Sequence, residues 1–165
     1  MATEEQHPDI QKFLAHYPSD ADMTLQVLKG HLLLEELLRE IFQLLLIRPE
    51  ALKGEKGTSL NCHQIICLVE ALAPKRNDQL KWIWLAAKRL NTLRNDLAHK
   101  LSPLGLDEKI QSFIQFVRQS DQDVELHFKK VEAPQRLEFA MSVSTLCGIF
   151  SRMKEHIASA SQAST

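Results

Sequence analysis

The side chains best suited to chemistry in this 165-residue chain lie in one short run, Arg94-Asn95-Asp96-Leu97-Ala98-His99. A guanidinium offers a planar fork of donors that matches phosphate oxygens. An imidazole gains and loses a proton near neutral pH. With an amide beside the guanidinium, and all three within one and a half helical turns, the set suits work on a phosphodiester. Asn91 and Asp96 are the polar groups placed to support it. The same residues also admit a plainer reading. Asp96 and Lys100 form an ordinary i,i+4 pair on a solvated helix, and a histidine near a helix C-terminus meets the dipole favourably.

Projected at about 100° per residue, the surrounding helix sorts into stripes. Ile83, Ala86, Leu90, Leu93, Leu97 and Leu101 form an apolar stripe for the core. Asn91, Asn95 and His99, four apart, form a polar stripe roughly opposite. Arg94 and Ala98 sit between the two, in line with Ala87. Arg94 and His99 are then about 140° apart, so one helix alone is poorly arranged to clamp a phosphate between them. A second copy packed antiparallel across a two-fold axis brings one chain's Arg94 or Asn95 toward the other's His99, and Ala87 and Ala98 leave room for it. The expectation is a homodimer with both motifs lining a shared cleft.

The bulk properties fit one soluble globular domain: 44% hydrophobic and 25% charged residues, five glycines and a formal net charge of -1. Few glycines and many leucines favour helix. The overall charge gives no general attraction to nucleic acid or to an anionic membrane. Between Lys75 and Leu101, however, seven basic residues face only Asp78 and Asp96. A positive segment over a phosphate-handling site is the expected arrangement, although such a run also suits a solvated face. Cys62, Cys67 and Cys147 show no zinc-ligand spacing and read as buried reduced thiols. No metal or cofactor is expected. The acidic, polar N-terminus lacks a signal-peptide pattern, and the most apolar run, Ile41 to Ile47, is too short for a bilayer. A cytoplasmic location is expected.

The elements that must position the motif read as helices. A short one near Pro8 to His16 forms an arm, residues 1–20, that is loosely attached. A long apolar helix from Thr24 to Ile47, capped by Asp22 or Thr24, belongs at the centre. The stretch from Lys53 to Thr58 is a loop, and Ser59 or Asn61 caps a helix that stops at Pro74. The motif helix runs from Asp78 to Leu101 and ends at Pro103 and Gly105; another covers Asp107 to Arg118. From Ser120 to Pro134, Val124, Leu126 and Phe128 alternate with charged residues, as in a short strand or an irregular excursion. The last helix runs from Pro134 to His156, before a disordered tail at 158–165. The predicted fold is all-α, an up-and-down bundle of four main helices over residues 21–157 with additional short ones.

Two further features admit two readings each. Gly30, His31 and Glu35 either contact the motif helix, where glycine permits close approach, or form a polar patch on a buried helix. Trp82 and Trp84 either stack on bases or anchor a core or interface.

The stretch from Leu90 to His99 resembles the signature of the HEPN superfamily: arginine, a polar residue, variable positions and histidine. The run Gly30-His31-Leu32-Leu33-Leu34-Glu35-Glu36-Leu37-Leu38 is similar to the long first helix of HEPN-type proteins related to mannitol-operon repressors and abortive-infection proteins. The likeness covers Thr24 to Leu101 well and the last helix loosely. It implies a helical bundle that dimerises through its motifs. It also implies a metal-independent endoribonuclease, often a toxin or antiphage component, that acts on RNA such as tRNA or ribosome-associated RNA. By that resemblance, His99 assists proton transfer as a 2′-hydroxyl attacks phosphorus, Arg94 stabilises the phosphorane and Asn95 positions the phosphate or the histidine. The products are then a 2′,3′-cyclic phosphate and a 5′-hydroxyl. An antitoxin protein is a further partner that such a toxin would have. The alternative is a non-catalytic dimeric regulator or protein-binding module of the same fold.

Overall fold

The computed structural model describes residues 7–52, 59–74, 80–99, 105–129 and 133–162. The chain is all-α, with no strand among these residues. Seven helices follow one another: α1 (Pro8–His16), α2 (Met23–Leu45), α3 (Cys62–Leu72), α4 (Trp82–His99), α5 (Leu106–Gln119), α6 (Gln122–Lys129) and α7 (Gln135–Gln162). A 3₁₀ turn at Pro49–Leu52 follows α2. No helix among the described residues is long and apolar enough to cross a membrane.

The centre of the bundle is α2, which packs on α3, α4 and α7. Its apolar residues are distributed around the helix, and Val27, Leu34, Leu38 and Ile41 are all fully buried or nearly so. Asp22 caps it, its carboxylate accepting from the Leu25 backbone N–H at 2.9 Å, which satisfies one of the orphan donors of the first turn. Asn61 and Gln64 form a reciprocal capping box that starts α3. At Gly30 an added Cβ would lie 3.2 Å from Val143 and 3.4 Å from Tyr17. The close approach that this glycine permits is therefore toward α7 and Tyr17, not toward the motif helix.

Three segments differ from expectation. The arm is not loose: Phe13 and Tyr17 stack at 4.8 Å between ring centroids and both are buried in the core. Burial works against the Asp9 carboxylate, yet hydrogen bonds from Lys154 and Ser151 outweigh it and hold its pKa below the ordinary value. Lys154 reaches Glu40 of α2 as well, at 2.8 Å, so one ammonium joins α1, α2 and α7. Within the segment after Ser120, Gln122–Lys129 is helix, neither a strand nor an irregular excursion. Val124 and Phe128, four apart, share the inward face of α6, while Leu126 is exposed. An apolar residue at every second position thus served helical spacing, because the middle one points out. The last helix continues to Gln162, where a disordered tail was expected. Ile157 is buried and anchors that end, and Ser159 and Ser161 bond back to the carbonyls of Glu155 and Ile157. The expected loop at Lys53 to Thr58, the expected ends of the motif helix at Asp78 and Leu101, Pro103 and residues 163–165 lie outside the described residues.

Candidate functional site at the C-terminal half of α4

The first half of α4 is anchored in the core. Ile83, Ala86, Leu90 and Leu93 are buried as the apolar stripe requires, and Leu97 is half-buried. Trp84 is buried edge-on to Phe150 at 5.1 Å. Trp82 is half-buried, its indole N–H enclosed without a hydrogen-bond partner among the described residues. Trp84 is thus a packed side chain and not an open stacking platform, whereas Trp82 is packed in part and borders a groove of about 360 Å³.

The polar stripe is not uniform. Asn91 is only 7% exposed and faces α2, where its Oδ1 accepts from His31 Nε2 at 3.0 Å. It does not lie opposite the core, because α2 packs against that side of α4. Asn95 is half-buried and His99 exposed. Successive members of one i,i+4 series therefore pass from interior to solvent as α4 emerges from the bundle.

Arg94 is exposed, and its Nη1 donates to Asn95 Oδ1 at 3.1 Å. Its charge also acts on His31 and Cys62, so the guanidinium lies by the junction of α2, α3 and α4. Among the described residues, the sequence-predicted groups that share a hydrogen bond are Arg94 and Asn95; His99 is exposed at the end of the helix. Asp96 pairs with Lys109 of α5, a tie between helices. Lys100, its expected partner, lies outside the described residues. Ala87 is buried within the chain's own bundle and is unavailable to a second copy, whereas Ala98 is exposed.

The positive segment is less available than its composition implies. Lys88 donates to Glu70 of α3 at 2.6 Å, and the Arg89 guanidinium carbon lies 4.0 Å from the centre of the Phe116 ring, a cation–π contact. Lys75, Arg76, Asp78 and Lys100 lie outside the described residues. A groove of about 480 Å³ runs along the α5 side of α4, bordered by Leu85, Lys88, Arg89, Thr92 and Ser112. It does not include Arg94, Asn95 or His99.

Next to Arg94 the fold assembles a cluster that spacing did not predict as a unit. His31, Glu35 and Arg39 repeat every four residues along α2. His31 is 4% exposed. Burial, the largest influence, lowers its pKa, while the Asn91 bond and Glu35 pull the other way. Arg39 Nε and Nη2 both donate to Glu35 Oε1, at 3.0 and 2.6 Å, and Nη2 also reaches the Leu60 carbonyl. Cys62, the first residue of α3, sits half-buried against this group. Burial pushes its thiol pKa up to about 12, with Glu35 adding and Arg39 and Arg94 opposing. The His31–Glu35–Arg39 spacing was readable in the sequence; the arrival of Cys62 was not, since it depends on how α3 folds back. Cys67 is exposed rather than buried, 3.7 Å from His63. The contact of His31 with the motif helix is made through Asn91.

No family model, curated protein or solved structure matches the chain.

Proposed function

We propose that this protein is a metal-independent endoribonuclease of HEPN type, acting as a homodimer whose two α4 helices line a common cleft. The observation that carries the reading is the state of Arg94, Asn95 and His99. All three lie on the solvent-emerging half of a helix whose other half is fixed in the core. The guanidinium is exposed and oriented by the neighbouring amide, and the imidazole is exposed beyond it. A rigid base with accessible donors at its end is what electrostatic stabilisation of a phosphorane needs.

His99 acts as the proton-transfer group on the 2′-hydroxyl, Arg94 holds the charge that develops on the phosphoryl oxygens, and Asn95 orients the guanidinium. Asn91, packed against His31, and Asp96, tied to Lys109, support the helix. Because Arg94 and His99 lie five positions apart on one helix, about 140° around it, each complete site draws on both protomers. Ala98 is the small residue at the contact. The substrate is RNA, such as tRNA or ribosome-associated RNA, and the role is that of a cytoplasmic toxin or antiphage component restrained by a partner protein. The involvement of Lys88 and Arg89 in intramolecular contacts favours a second reading, a non-catalytic dimeric regulator using the same surface.

Expression of wild type and His99→Ala separates the two. A ribonuclease arrests growth and leaves RNA with 2′,3′-cyclic phosphate ends, and His99→Ala does neither. Identical behaviour of the two proteins selects the regulator.

A further inference from the structure

We propose that His31, Glu35 and Cys62 form a site for a divalent cation of the zinc class, held between α2 and α3 and independent of the cleavage chemistry. One ligand atom from each of the three side chains lies within 4.8 Å of the other two. Tetrahedral ligation at about 2.0–2.3 Å places ligand atoms roughly 3.3–3.8 Å apart. His31 Nδ1 and Glu35 Oε2 are already 3.7 Å apart, and the set as a whole lies within about an ångström of ligation distance. Imidazole, carboxylate and thiolate together make a zinc-like donor set with one position left for water.

A second observation points to a cation there. The oxygen of Asn91 can only accept, so His31 Nε2 carries the proton of their bond. That bond leaves Nδ1 directed at Glu35 Oε2. Nδ1 and Oε2 face each other across 3.7 Å in a largely buried space, a gap that a bound ion can bridge. The Asn91 contact is also the outer-shell support that fixes the tautomer of a ligating histidine. Arg39 occupies Glu35 Oε1 and leaves Oε2 for the ion. Cys62 is the first residue of α3, and its thiol gives up its proton as the metal binds.

The test uses the full chain, stripped with chelator, kept in a non-thiol reductant and titrated with Co²⁺ and then Zn²⁺. The expected result is one equivalent of Co²⁺ with a thiolate charge-transfer band that Zn²⁺ displaces. Cys62→Ser loses the band. Cys67→Ser keeps it, which excludes the exposed His63–Cys67 pair. Asn91→Ala weakens binding about 10–100-fold. In wild type, Zn²⁺ also shields Cys62, and not Cys67, from alkylation as mapped by mass spectrometry, which needs no variant to fold. Absence of the band in wild type, its survival in Cys62→Ser, or unaltered alkylation of Cys62 overturns the proposal. RNA cleavage by the stripped protein is expected to equal that of the loaded one, so loss of either proposal leaves the other standing.

Discussion

Asn91 and His99 occupy the two ends of one four-residue series on α4, yet their surroundings differ completely. Asn91 is enclosed and bonded to His31 of α2; His99 is open to solvent. The same spacing thus delivers one polar group to the interior, where it ties two helices together, and another to the surface, where it is open to solvent. A helix leaving a bundle grades from buried to exposed polarity within about two turns. Helical projection cannot show that grading, because it discards position along the axis.

The comparison can be broken most forcefully at the exposed end. His99→Ala and Arg94→Ala are each expected to lower RNA cleavage by about 10²–10⁴-fold, with urea-unfolding stability within about 0.5 kcal/mol of wild type. A comparable loss of stability would mean these side chains are structural after all. At the buried end the pattern inverts. Asn91→Ala strands the His31 donor and is expected to cost about 1–3 kcal/mol of stability, read as a lower urea midpoint at unchanged slope.

Two smaller effects sharpen the contrast. The Asp9 carboxyl has a native pKa below its ordinary value of 3.8, so the native state binds fewer protons than the unfolded one. Its contribution is fully present above about pH 4 and is lost as pH falls through the lower native value. Asp9→Asn is therefore expected to destabilise at neutral pH and to flatten the acid limb of the stability profile, measured by unfolding between pH 2 and 7. Asp96→Asn, which breaks a surface pair with Lys109, is expected to change stability by less than about 1 kcal/mol by the same assay.

Much of the architecture was legible because helical periodicity and caps are local. Asp22, Asn61 and the leucine series of α2 and α4 mark their elements without reference to the rest of the chain. What escaped was decided by packing. Val124 and Phe128 fit a strand or a helix equally until packing buries Phe128 and half-buries Val124. The serine- and alanine-rich end of α7 stays helical through the buried side chain of Ile157. Among site residues, Arg94 and Asn95 were legible as a pair because they adjoin in sequence. The His31–Asn91 bond, across 60 positions, and the approach of Cys62 to Glu35 arise only when α2, α3 and α4 are assembled.

Mixing Arg94→Ala protein with His99→Ala protein tests the shared cleft most directly. Each variant alone lacks a complete site, while half of the randomly re-formed dimers carry one intact composite site. The mixture is expected to recover about a quarter of wild-type RNA cleavage. A mixture as inactive as its components, under conditions where subunit exchange is verified, would contradict a cleft built from two chains.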